Sequence, residues 1–116
     1  DCGRMINPAG VRHQVHGNVI QSASRVLKEF VTFNKTGVTS LDWGGYPILR
    51  FDELPQIDIQ LIDRPEEAPM GAGESASVPS AAAIGNALFD ALGVRLREVP
   101  FTPARVLAAL RAQAGH

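Results

Sequence analysis

Three observations predict an α+β fold for this chain: apolar stripes at helical spacing near both ends, a β-prone pair of segments around Asn34-Lys35-Thr36-Gly37, and a strictly alternating run at Gln56–Ile62. The expected order is a long helix, a β-hairpin, a further strand, a loop carrying a carboxylate, and two C-terminal helices. There is neither βαβ alternation nor an internal repeat.

Each element has a local reason. Asn7-Pro8-Ala9-Gly10 reads as a turn, after which Val11, Val15, Val19, Val26 and Phe30 keep close to a helical repeat through about Glu29. Phe30-Val31-Thr32-Phe33 is β-prone, Asn34 to Gly37 is turn-like, and Val38-Thr39-Ser40-Leu41 returns as the partner strand. Trp43-Gly44-Gly45-Tyr46-Pro47 interrupts regular structure. In Gln56–Ile62, residues Ile57, Ile59 and Leu61 share one face, which predicts a strand. The loop Asp63 to Val78 follows. Pro79 suits a first helical turn, Ile84, Leu88 and Leu92 repeat every four residues, and Gly93 stands where a left-handed cap belongs. Arg95-Leu96-Arg97-Glu98 reads as an exposed strand. Thr102-Pro103 opens a last helix that carries Val106, Leu107 and Leu110 toward the core.

The 116 residues, 45% hydrophobic and 20% charged, fit one domain over positions 1–116. A net charge of -1 and 6% aromatic residues provide neither a basic stripe nor a stacking platform, so nucleic acid is not an expected partner. Cys2, the only cysteine, cannot form an internal disulfide and reads as a packed or inert thiol. No apolar run is long enough to span a bilayer. The chain opens Asp1-Cys2-Gly3-Arg4 without an initiator methionine, as a piece of a longer protein would.

The stretch richest in chemistry is Met70-Gly71-Ala72-Gly73-Glu74-Ser75. Glycine on both sides of Ala72 permits positive φ or close approach of a ligand. Two readings of Glu74 stay open: a solvated loop acid, or a base acting on whatever the loop contacts. Gly71-Ala72-Gly73 lacks the third glycine and the immediately preceding strand of a dinucleotide fingerprint. His13 and His16 stand three apart, but no third ligand is placed near them, so no metal ligand is assigned. Gln14 between them reads as a surface residue, and Glu66-Glu67 as a solvated acidic turn.

Several segments taken in order resemble the C-terminal part of the molybdenum-binding large (β) subunit of xanthine dehydrogenase family molybdenum hydroxylases, over nearly the whole chain. Asp1-Cys2-Gly3-Arg4-Met5-Ile6-Asn7-Pro8 resembles that family's D-x-G-x-x-I-N-P segment, and Gln14-Val15-His16-Gly17 its G-Q-V-x-G segment. Leu88 to Leu96 and Pro100-Phe101-Thr102-Pro103 look like the ending of isoquinoline 1-oxidoreductase and aldehyde-dehydrogenase-like β subunits. Gly71-Ala72-Gly73-Glu74 then falls on the family's G-x-G-E loop.

The resemblance implies a fragment of a larger molybdopterin-binding domain. In it, Glu74 is the general base beside the molybdenum, Gln14 a hydrogen-bond partner of the pyranopterin, and the Gly73 backbone part of the wall. It also implies molybdopterin cytosine dinucleotide as cofactor and an N-heterocycle or aldehyde as small-molecule substrate, with water as the oxygen source. The implied partners are the remainder of the large subunit and a small subunit carrying [2Fe-2S] clusters; the fragment alone is expected to be inactive, and its apolar surface to favour self-association. His13, Asn18 and Ser22 stand where the family usually has glycine, which puts added side chains beside the cofactor. The competing reading is therefore a non-catalytic structural or interaction domain that has lost cofactor binding. Nothing in the residues chooses between bacterial cytoplasm and periplasm.

Overall fold

The structure, a computed structural model, describes residues 2–115. Helix α1 spans Pro8–Leu27, a hairpin joins β1 (Phe33–Asn34) to β2 (Gly37–Val38), and helices α2 (Ser77–Leu92) and α3 (Pro103–Ala114) complete the chain. The α+β class and the order of helices and hairpin are as the sequence predicts.

The expected Asn7–Gly10 turn is instead the start of α1. The Asn7 side chain accepts from Gly10 N–H at 3.0 Å while Pro8 takes the first helical position, where its missing N–H costs nothing. The helix closes at Leu27, two residues before the expected end, where the N–H groups of Lys28 and Glu29 both turn back onto the Ser24 carbonyl. Helix α2 starts two residues earlier than Pro79. Its end is as expected: Gly93 adopts φ 69° and donates to Phe89 O at 2.8 Å. Thr102 caps α3 through its hydroxyl, which accepts from Arg105 N–H.

The hairpin is shorter and tighter than predicted. Phe33 pairs with Val38 and Asn34 with Gly37, leaving only Lys35 and Thr36 in the loop. Asn34 Oδ1 accepts from both the backbone N–H and the hydroxyl of Thr36, so a side chain makes the turn.

The strands expected at Gln56–Ile62 and Arg95–Glu98 do not form; among the described residues the hairpin is the only sheet. Alternation in the first segment is nevertheless real, for Ile57, Ile59 and Leu61 are half-buried while their neighbours are exposed. The extended backbone has the predicted face but no ladder partner. Around Arg95 the side chain itself governs: its guanidinium lies 4.1 Å from the Phe89 ring centroid and donates to Asn86 Oδ1 at 2.8 Å.

The core is small and sits where α1 packs against α2. Ala23, Val26 and Phe101 are its buried apolar residues, and Phe101 N–H donates to Val26 O at 2.6 Å. Gly85, the one buried residue of α2, faces the Phe101 ring. Leu107 was expected inside but lies on the exposed side of α3.

Between β2 and α2 the chain is irregular and tied back to α1. Asp42 closes the Trp43–Tyr46 turn by accepting from Gly45 N–H with its carboxylate and from Tyr46 N–H with its carbonyl. Leu49 N–H donates to Ser24 Oγ at 3.0 Å, and Lys28 pairs with Glu53. Tyr46 donates its hydroxyl to Glu29 at 2.8 Å, a bond that holds the phenol above its ordinary pKa. Farther along, Arg12 Nη1 donates to Ile59 O at 2.6 Å, fixing the alternating segment beside the start of α1.

Much apolar surface remains outside. Phe51 is 95% exposed, Phe33 76% and Trp43 74%, and no large side chain is fully buried among the described residues. The radius of gyration is 17.8 Å, against about 13 Å for a compact domain of this length. The accessible surface is 8656 Å², whereas a folded monomer of this mass exposes about 6,100 Å². The excess, about 2,500 Å², is surface that a chain of this size ordinarily covers.

Candidate functional site

The loop that carries Glu74 is held on three sides. From the N-terminal segment, Cys2 O accepts from Met70 N–H at 2.8 Å, Arg4 N–H donates to Glu67 O at 3.3 Å, and Arg4 Nε donates to Pro65 O at 2.7 Å. This antiparallel approach depends on Gly3, which adopts φ 64°; a Cβ there would lie 2.0 Å from Ala68 O. From α1, Asn18 Nδ2 donates to Gly73 O at 2.7 Å. From α2, both the N–H and the hydroxyl of Ser77 donate to Glu74 O, at 3.0 and 2.7 Å.

These ties bring Gln14 and Gly73 to the same groove, which the N-terminal segment and the first turns of α1 line on the other side. Its volume is about 340 Å³. A second hollow of about 290 Å³ adjoins it, sharing Cys2, Met5, Val11 and Ala72 and bounded by the alternating segment. Glu74 follows Gly73 directly and is exposed, and its side chain lines neither hollow.

Of the two uses expected of the loop glycines, positive φ and close approach of a ligand, the first is not taken. Positive φ occurs at Gly3, Gly37 and Gly93, not at Gly71 or Gly73. A Cβ on either loop glycine would meet nothing within 4 Å. Their small size therefore leaves open space along the loop rather than solving a backbone problem.

The three residues standing at the family's glycine positions fall in different surroundings. Asn18 is half-buried and bonded to the loop, Ser22 is buried, and His13 is exposed. Sequence reasoning marks Asn18 only as a departure; its bond to Gly73 spans 55 positions and carries no local signal. Among the described residues no three His, Cys, Asp or Glu side chains are grouped to hold a metal ion. Nor, among them, is any helix long and apolar enough to cross a membrane.

Similarity to known proteins falls on these same segments. Residues 1–55 match the molybdopterin cofactor-binding domain family. The chain is 66% identical over 110 residues to one of the subunits of nicotinate dehydrogenase from Pseudomonas putida, a match covering 95% of this chain and 9% of that polypeptide. It is 33% identical over 104 residues to the β subunit of isoquinoline 1-oxidoreductase from Brevundimonas diminuta, covering 90% of this chain and 13% of the other. The crystal structure of quinoline 2-oxidoreductase from Pseudomonas putida 86 superposes with a TM-score of 0.84 at 29% identity, over 96% of this chain and 15% of that one. The chain thus spans only a small part of each relative's length. Agreement in sequence along nearly all of its residues, together with agreement in fold, shows that it belongs to the molybdopterin cofactor-binding family of molybdenum hydroxylase subunits, of which it corresponds to a segment.

Proposed function

We propose that this chain forms one wall of the molybdenum site in a hydroxylase that acts on an N-heterocycle or an aldehyde, with Glu74 as the general base. The observation that carries this reading is the groove that joins Gln14 to Gly73, with Glu74 next in the chain and clear space beside both loop glycines. A bulky cofactor needs that clearance, and a base needs to project from a backbone fixed beside it.

The residues present suit molybdopterin. Gln14 offers a carboxamide, with one acceptor and two donor protons, to a heterocycle full of complementary groups. Gly73 brings main chain close without a side chain intervening. Neither is a metal ligand, and none is assigned. When bound, the cofactor supplies the redox chemistry, accepting the electrons removed from the substrate carbon. Glu74 takes the proton from the oxygen nucleophile as it attacks, a role ordinarily worth about 10² to 10⁴ in rate. We take the cofactor in its cytosine dinucleotide form, and the electrons to leave through [2Fe-2S] clusters of a small partner subunit. The rest of the large subunit completes the pocket and selects the substrate, so this chain alone is inactive.

The rival, a structural domain without cofactor, required the replacements at the glycine positions to crowd the site. Asn18 bonds to the loop, Ser22 is buried in the fold and His13 is exposed, arrangements that support the enzyme reading. The test is turnover of the purified full-length complex in isotope-labelled water, with metal analysis of the same sample. Molybdenum in the complex and label in the hydroxylated product are expected; a complex without molybdenum, or product oxygen taken from dioxygen, would contradict the proposal.

A further inference from the structure

We infer that Asn18 is a positioning residue for Glu74, an inference that rests on the reading of Glu74 as the base. Its carboxamide nitrogen has two protons, and the structure uses both: one bonds to Gln14 O and the other to Gly73 O, each at 2.7 Å. The first contact anchors the amide to the backbone of α1, one turn toward the N-terminus. The second crosses to the loop and holds the carbonyl of the peptide unit whose nitrogen belongs to Glu74.

The other side of Glu74 is held as well. Its own carbonyl accepts from the N–H and hydroxyl of Ser77 at the start of α2. The peptide before Glu74 is thus fixed to α1 and the peptide after it to α2, while the carboxylate itself stays exposed. Beyond the tie of Met70 to Cys2, these are the bonds that hold the main chain on either side of Glu74. Asn18 is half-buried and its bond to Gly73 lies at the surface, so the hold on the loop comes from the short distance and from the second bond that fixes the same amide to α1. Gln14 and Asn18 lie on one face of α1, so the same helical stripe presents the amide at position 14 to the groove and fixes the loop that closes it.

Three variants of the full-length complex test this. Asn18→Ala removes the amide while favouring the helix, and Asn18→Leu removes it while retaining bulk. Both are expected to lower kcat by about ten- to a hundredfold, the scale of a small misplacement of a reacting group, with KM unchanged. Molybdenum content is expected to stay at the wild-type level, and hydrogen exchange at the amides of residues 71–75 to become faster. Glu74→Gln, the third variant, separates the two ideas. An inactive Glu74→Gln enzyme beside Asn18 variants with normal kcat and normal loop exchange would overturn the role of Asn18 and leave the base in place. Full turnover in Glu74→Gln would remove the base, and with it anything for Asn18 to position. Loss of molybdenum from the Asn18 variants would likewise overturn positioning, since the amide would then serve cofactor retention.

Discussion

Gly3 is the residue on which the site's geometry depends most sharply. With φ at 64° and Ala68 O only 2.0 Å from where a Cβ would stand, alanine meets both a left-handed backbone and a clash with main chain. The backbone alone costs about 1–2 kcal/mol. Gly3→Ala in the full-length subunit is expected to lower the melting temperature and to expose the 65–70 segment to protease, without altering α2 or α3. Unchanged melting and cleavage would show that the N-terminal segment does not hold the loop. At this scale the sequence marks Glu74 as an acid between flexible residues and no more; only the resemblance assigns it chemistry. Left-handed backbone falls at Gly3, at Gly37 in the hairpin and at the Gly93 cap, while the bend at Gly73 and the turn after Glu74 are made without it. The tie from Asn18 to Gly73 is illegible in the sequence, as an amide on a helix gives no hint of a carbonyl 55 positions away.

Among the elements, helix ends are legible where capping chemistry is local and unambiguous: Thr102 with Pro103, and Gly93 after Leu92, each declare an end, whereas Asn7 with Pro8, read as part of a turn, proves to be the cap and first residue of α1. The alternating segment at Gln56–Ile62 teaches a different lesson. Side-chain period reports which face is buried, as Ile57, Ile59 and Leu61 show, but a strand also requires a neighbour, which period cannot supply. Gly85 in α2 leaves room for a close neighbour, and that neighbour is Phe101. Since a Cβ there would sit 3.5 Å from the ring, at ordinary contact distance, Gly85→Ala is expected to stabilise the subunit by up to about 1 kcal/mol through helix propensity. A lower melting temperature would mean that α2 cannot accept even a methyl group against Phe101.

The junction of α1 with the 42–53 segment has a pH signature. Hydrogen bonds from Lys28, and secondarily from Arg50 N–H, hold the Glu53 carboxyl below its ordinary value of 4.5. A carboxylate with depressed pKa adds stability that is present above the unfolded value and is lost as pH falls through the folded one. The melting temperature of wild type should therefore exceed that of Lys28→Met at neutral pH by a small margin, as expected for a pair near the surface, and the margin should shrink as pH falls below 4.5 and vanish once pH is below the depressed folded value. A difference independent of pH would assign the effect to packing of the lysine stem.

At the scale of the whole molecule, the chain, with 8656 Å² accessible, exposes about 2,500 Å² more than a folded monomer of its mass should, well above the roughly 800 Å² that each partner buries in an ordinary stable interface. Its length relative to the related subunits gives that surface a natural cover in the rest of such a polypeptide. Expressed alone, the chain is expected to self-associate as concentration rises, and sedimentation as a strict monomer would contradict that. Composition and length point to an ordinary small domain, since both ignore how much of the apolar content the chain can bury against itself.

The most direct measurement is steady-state turnover of the full-length complex carrying Glu74→Gln, with molybdenum determined on the same preparation. A base that takes the nucleophile's proton leaves no turnover when replaced by an amide, while molybdenum stays at the wild-type level. Turnover near wild type in the molybdenum-replete variant would remove Glu74 from the mechanism and reduce the loop to part of the wall.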